Sequence, residues 1–413
     1  MASLLLAVTF LLSGASVVDA EAAIMSNSGG GGAGATLTSR GRFLQAAVAA
    51  STTMTQSALF SLDSYGARGD GERDDTHALA QAWSAACASR RPAVVLVPAD
   101  RSYLLKQVTL SGPCKSSITF MVKGTLVASP DRSSWNENNR RHWIAVRGVD
   151  GLAVGGGGTI DGNGEALSFH TCNNLRVDGL KMVNSQQIHV SVEDCTGVQV
   201  AHLSITAPGT SPNTDGIHVT RSRNVQVRDC IIKTGDDCMS IEDGTHDLHV
   251  TRLVCGPGHG ISIGSLGDGD SRAEVSGIFV DTVQLHGTTN GARIKTWQGG
   301  TGYAKNIVFQ NMAMDGVKNP IIIDQSYCDS SKPCKAQGSA VEVSNVVFKN
   351  IRGTTISKDA ITLNCSKNHP CFDIALQDIN LTMVGGHGGA ASTCQNAKWR
   401  ESGTVIPQPC TGN

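Results

Sequence analysis

Aromatic side chains are scarce in this 413-residue chain, at 4%. That argues against a helical enzyme with a bulky core. No apolar run is long enough to span a bilayer, which takes about 20 residues, so no membrane anchor is expected. Neither sign of charge is in excess: 34 Lys and Arg face 35 Asp and Glu, for a formal net charge of −1. A basic field that would hold nucleic acid is therefore missing. No spacing of Cys and His resembles a zinc site, which discounts a metal. Glycine, in contrast, is plentiful at 47 residues. Many turns and few large core residues suggest a stack of short strands. The length exceeds the roughly 100–200 residues of one ordinary domain, but solenoids escape that bound by adding coils.

The chain opens MASLLLAVTFLLSGASVVDA, with a short apolar core from Leu4 to Leu12 and small residues after it. Residues 1–20 read as a secretory signal cleaved after Ala20. Residues 21–57, rich in Gly, Ala, Ser and Thr, read as a flexible leader with a short helical patch near Phe43 to Ala50. Residues 58–413 remain as one domain, with order expected from about Phe60. Asp74-Asp75-Thr76 then opens an amphipathic helix running to Ala88, with Leu79, Trp83 and Ala86 on one face and an acidic N-terminal cap. Such a helix could cover the open end of a solenoid, where strand edges would otherwise lie bare.

An exported chain with 13 Cys suggests disulfides, with at least one Cys left over. Three local pairs fit by spacing: Cys328 with Cys334, Cys365 with Cys371, and Cys394 with Cys410. Buried, inert thiols are the alternative.

From Gly151 onward the chain repeats itself. A turn residue precedes an apolar anchor at Gly151-Leu152, Asn174-Leu175, Gly197-Val198, Asn224-Val225, Asp247-Leu248, Gly277-Ile278, Asn306-Ile307, Asn345-Val346 and Asp373-Ile374. After each anchor the sequence tends to alternate, as in VQVAHLSI and VQVRDCII. Gly, Asn and Asp tolerate positive φ, so each marks a sharp corner before a strand. The constant register predicts an all-β, right-handed parallel β-helix, with the early helix as its cap. A β-sandwich gives no reason for that register. Three positions before successive anchors stand Cys172, Cys195, Ser222 and Thr245, all small, which predicts a tight internal ladder with Cys172 and Cys195 as thiols.

Four segments fall in the middle of the repeats: Asn213-Thr214-Asp215-Gly216, Gly235-Asp236-Asp237-Cys238, Gly258-His259-Gly260 and Arg293-Ile294-Lys295. The steps from Asp215 to Asp236 and from Asp236 to His259 are 21 and 23 residues, about one coil each. Coils lie about 4.8 Å apart, so these side chains should meet in one patch. The step of 34 to Arg293 needs either a loop or more than one coil. Clustered acids are costly because like charges raise one another's pKa. They persist either to bind a cation or to do acid-base work. Glycoside hydrolysis needs one carboxylic acid for the leaving oxygen and a second carboxylate as base or nucleophile, with a third helping to keep the acid protonated. Arg293 and Lys295 share one face of a strand and could hold an acidic sugar's carboxylate.

These four segments resemble the signature motifs of the polygalacturonases, glycoside hydrolase family 28, in the same order. The likeness extends to Ser185-Gln186-Gln187, to 211–219, 255–266 and 292–297, and covers roughly Phe60 to Cys410. It implies hydrolysis of α-1,4 bonds between galacturonic acids, with inversion and without metal or organic cofactor. Asp236 would be the proton donor. Asp215 and Asp237 would activate the attacking water, and His259 would tune the acid. Arg293, Lys295 and Tyr327 would contact substrate. It also implies disulfides Cys87–Cys114 and Cys238–Cys255. The expected protein is a secreted, cell-wall monomer whose partner is the acidic polysaccharide, and Asn364-Cys365-Ser366 and Asn380-Leu381-Thr382 read as N-glycosylation sequons, with Asn364 and Asn380 as candidate sites.

One departure stands out. In the family a longer stretch with tryptophans separates Asp161-Gly162-Asn163-Gly164 from the next strand; here only Glu165, Ala166 and Leu167 precede Ser168. Two rival functions follow: a pectate lyase, which the His259 motif argues against, and a cell-wall binding protein that lost turnover with that loop. Endo or exo action is left open, with endo preferred.

Overall fold

The computed structural model describes residues 57–410 apart from 132, 134, 136–141, 163–166, 186, 331–333 and 387–388. The expected signal segment, all but the last residue of the leader, its helical patch and the shortened stretch at 163–166 lie outside the described residues.

The chain winds as a right-handed parallel β-helix. One sheet collects 11 strands. We number them β1 (Val108–Ser111), β2 (Ile144–Arg147), β3 (Leu167–His170), β4 (Val190–Glu193), β5 (Ile217–Thr220), β6 (Met239–Ile241), β7 (Ile261–Leu266), β8 (Asn290–Trp297), β9 (Asn319–Tyr327), β10 (Asp359–Asn364) and β11 (Ala391–Gln395). Alternation along each strand becomes columns across the sheet. One inward column runs Leu110, Val146, Phe169, Val192, Val219, Ile241, Ile263, Ile294, Ile323 and Leu363. All are buried, each worth roughly 1.5–3 kcal/mol of apolar transfer. The neighbouring outward column reads Ser168, Ser191, His218, Ser240, Ser262 and Arg293. A polar strip thus runs along the outside of an apolar wall.

The other sheet holds 19 parallel strands and carries the repeat anchors. Leu175, Val198, Val225, Leu248, Ile278, Ile307, Val346 and Ile374 pair in unbroken register. The residue before each of the nine anchors has φ between 50° and 71°, as the corner chemistry requires. Asparagines also stack at the corners: the Asn345 amide donates to Asn306 Oδ1 at 2.8 Å, and Asn350 to Asn311 Oδ1 at 2.6 Å.

Helix α1 (Thr76–Cys87) buries Leu79, Trp83 and Ala86 against the first strands. Its cap differs from the expected one. Asp75 occupies the N-cap position but turns its carboxylate back to the Arg68 and Gly69 amides, at 2.7 and 3.0 Å. Asp74 accepts from the Thr76 amide at 3.0 Å instead.

The small-residue ladder is present. Cys195 Sγ lies 3.3 Å from the Cys172 amide, and Ser222 Oγ accepts from the Cys195 amide at 3.0 Å. Disulfides join Cys87–Cys114, Cys328–Cys334, Cys365–Cys371 and Cys394–Cys410. The expected Cys238–Cys255 bridge is not formed. Both are buried thiols, as are Cys172, Cys195 and Cys230. Cys238 and Cys255 meet through a thiol hydrogen bond inside the coil, an apolar setting in which two neutral thiols are tolerated. Asn380 is exposed, whereas Asn364 is half-buried and donates to Asp324 Oδ1 at 2.9 Å.

Phe309 and Phe348, on adjacent coils, stack with centroids 5.6 Å apart and planes 4° from parallel. Both are fully buried. Phe309→Ala should therefore cost about 3–5 kcal/mol, read as a lower urea midpoint at unchanged slope. An unchanged midpoint would contradict the packing described.

Candidate active site

Asp215, Asp236–Asp237 and His259 sit just before β5, β6 and β7. Main-chain bonds hold these approaches in step: the Gly216 amide donates to the Asp237 carbonyl at 2.9 Å, and the Cys238 amide to the Gly260 carbonyl at 2.9 Å. Sheet pairing thus extends into the loops and delivers all four residues to one face. Gly260 has φ 80°, and a Cβ there would run into the Asn290 main-chain oxygen. This is why His259 is followed by glycine.

Asp237 is the anchor of the group, 1% exposed. Its Oδ1 accepts from Ser262 Oγ at 2.6 Å and from Arg293 Nη2 at 2.9 Å; its Oδ2 lies 3.3 Å from Lys295 Nζ. Arg293 Nε also donates to Ser262 Oγ at 2.8 Å. Arg293 pairs directly with Ser262, so only one coil separates β7 from β8. The long interval before Arg293 is absorbed by a turn at Asp268–Asp270 and the extended strand Arg272–His286. Tyr327, at the end of β9, lies with its ring 5.2 Å from Lys295 Nζ and edge-on to Trp297. Burial pushes its phenol up to about 12. All seven expected site residues therefore belong to one continuous patch.

His259 Nδ1 is 2.9 Å from Asp236 Oδ1, and the His259 amide donates to the Asp236 carbonyl at 2.7 Å. Asp236 also accepts from the amides of Asp237, at 2.8 Å, and Asn213, at 3.2 Å. Burial works to raise the Asp236 pKa. The hydrogen bond and charge of His259 outweigh it, and the net shift is downward. The same bond raises His259 against the opposing effect of burial. Asp215 moves the other way, up to about 7, first through burial and then through the charges of Asp237 and Asp236. Asp215 and Asp236, one coil apart, are thus pushed in opposite directions. His259 gives Asp236 a hydrogen-bond partner that favours its ionised form.

Several contributors carry no motif of their own. Ser240 hydrogen-bonds Asp215 and lies 2.9 Å from His218 Nδ1. His189, 1% exposed and lowered to about 4 by burial, places Nδ1 3.0 Å from the Asp215 carbonyl. Glu242 is raised to about 7 by burial, with Lys295 opposing the rise. Each is one coil away from a recognised residue, and only the register reveals it. Asp236, Asp237 and His259 also offer three atoms within 4.8 Å of one another that could ligate a cation. Arg293 and Lys295 already neutralise Asp237, which disfavours a further cation there. As a group, the patch offers a carboxylate that can trade a proton with an imidazole, two neighbouring carboxylates, and two cations beside them.

A family model described as "Glycosyl hydrolases family 28" matches residues 87–168 and 165–405. A protein from Persea americana named "Polygalacturonase" is 49% identical, the match covering 81% of this chain and 76% of that one. "Polygalacturonase-2" of Solanum lycopersicum is 48% identical, covering 84% of this chain and 80% of its own. Among solved structures, the exopolygalacturonase of Thermotoga maritima shares the fold with a TM-score of 0.71 at 20% identity, over 83% of this chain and 90% of that one.

The raised Asp215 pKa has a consequence for stability. Between about 3.8 and about 7 the folded protein binds a proton at Asp215 that the unfolded chain has released. Asp215's contribution is thus present below that window and lost as pH rises through it. Asp215→Asn should abolish a pH-dependent loss on the order of a few kcal/mol. The check is unfolding free energy measured from pH 4 to 7.5; parallel curves for variant and parent would contradict the assignment.

Proposed function

The chain belongs to glycosyl hydrolase family 28, and on that footing we propose that it is a polygalacturonase, cutting α-1,4 bonds between galacturonic acids in pectin. The observation that carries this reading is the patch itself: three carboxylates and His259, with Arg293 and Lys295 beside them, on the outer face of a long sheet. A polyanion needs cations to dock, and an acetal needs a proton donor opposite a water-activating base.

In this mechanism Asp236 protonates the leaving oxygen while the bond to the anomeric carbon breaks. His259, hydrogen-bonded to Asp236, replenishes that proton. An anionic sugar close to Asp236 raises the carboxyl pKa and draws the shared proton towards it. Asp215 and Asp237 hold a water on the opposite face. Asp237, tied to both cations and Ser262, orients it; Asp215, once ionised, accepts its proton as the oxygen joins the anomeric carbon. A single displacement of this kind inverts the anomeric centre. Arg293 and Lys295 have donors beyond those used on Asp237 and grip a substrate carboxylate, with Tyr327 against the sugar face. We further infer endo action, a secreted monomer acting at the cell wall, and no cofactor. The described residues include no helix long and apolar enough to cross a membrane.

Reducing-end release from polygalacturonate tests the reading. Asp236→Asn should lower the rate by about 10²–10⁴-fold, with an unchanged circular dichroism spectrum. A variant that turns over at the parent rate would remove Asp236 from the mechanism. The size distribution of early products separates endo from exo cutting.

A further inference from the structure

A second cluster of ligating side chains lies on the same outer face, towards the N-terminal end of the sheet. His170 closes β3, and its ladder partner Glu193 closes β4 one coil on. His142 stands just before β2, with its ring 4.7 Å from that of His170 and perpendicular to it. One ligand atom from each of His142, His170 and Glu193 falls within 4.8 Å of the other two. We propose that these three residues form a binding site for a divalent transition metal of the zinc class, separate from the acidic patch.

Two independent features point to a ligand. The first is His170 itself. Its side chain is 8% exposed, with Nδ1 3.3 Å from Glu193 Oε2. At that distance Nδ1 and Oε2 stand at the separation of two ligands on one tetrahedral ion with bonds of about 2.0–2.1 Å. The second is the donor set. Two imidazoles and one carboxylate suit zinc, and also cobalt or nickel, better than the hard calcium or magnesium ions, which prefer all-oxygen shells. Zinc–nitrogen bonds run about 2.0–2.1 Å, so modest side-chain rotation closes the set around an ion.

The local charges permit it. Ser191 Oγ donates to Glu193 Oε1 at 2.8 Å and fixes the carboxylate. Arg221 approaches Glu193 Oε2 only to 3.7 Å, because its guanidinium is committed to Asp194 in a paired contact at 2.8 and 3.0 Å. The acidic patch differs here, since two cations contact Asp237 directly. The three ligands come from three consecutive coils, β2, β3 and β4. A bound ion would cross-link those coils and stabilise the folded state by mass action.

The test uses the full chain freed of metal with a chelator. Titration calorimetry with Zn²⁺ should find one equivalent bound, and Co²⁺ should give visible absorption bands of a nitrogen-ligated site. His142→Asn, His170→Asn and Glu193→Gln should each weaken binding by about tenfold or more. Asp236→Asn should leave it intact. Zn²⁺ should raise the melting temperature of the parent and not of His170→Asn. The proposal is overturned if the parent binds no stoichiometric ion, if Co²⁺ shows only the spectrum of the aqueous ion, or if binding is lost in Asp236→Asn and kept in His170→Asn. Because the cobalt spectrum is read on the parent, the result stands even where a variant fails to fold.

Discussion

Parallel pairing between successive coils is the constraint on which the rest of the molecule depends. Backbone hydrogen bonds set the coils about 4.8 Å apart, and a side chain's place in one coil fixes its neighbours in the next two. Inward positions become apolar columns such as Val219, Ile241, Ile263 and Ile294. Outward positions become columns too, and there the same geometry stacks Ser240, Ser262 and Arg293. Register therefore builds the core and the functional face with one set of bonds. A slip of one residue would exchange the two.

That geometry forces like charges together, and the site is a solution to the resulting repulsion. Each carboxylate is handled differently. Asp237 receives two cations and a serine hydroxyl. Asp236 receives an imidazole and two main-chain amides. At Asp215 the Ser240 hydrogen bond and the charge of Lys295 are outweighed by burial and two negative neighbours, which push its carboxyl up to about 7. Three chemically identical side chains thus have three different sets of partners. The proposed division of labour between donor, orienting group and base follows from that inequality.

Much of this was legible in the sequence because the solenoid converts sequence separation directly into distance. The nine corner residues and their anchors gave the fold. The roughly one-coil steps between Asp215, Asp236 and His259 gave the cluster. What escaped was whatever depended on side-chain direction or on competition between partners. Asp75 marks the helix start yet bonds backwards to Arg68 and Gly69. Cys238 and Cys255 are adjacent but remain thiols. The distribution of protons over Asp215 and Asp236 needed the His259 contact, and Ser240, His189 and Glu242 have no motif that spacing could single out. The His142, His170 and Glu193 cluster was hidden for a related reason: its spacings of 28 and 23 residues are those of coils, unlike the short intervals that identify familiar metal sites.

The central claim is that register imposes a shared electrostatic field on acids far apart in sequence. The most direct measurement is a carbon-13 NMR titration of the Asp215 carboxyl in the parent and in Asp237→Asn. The account predicts a midpoint near 7 in the parent and a clear fall once the Asp237 charge is removed. An Asp215 that titrates like an ordinary aspartate, with a midpoint indifferent to Asp237→Asn, would contradict it.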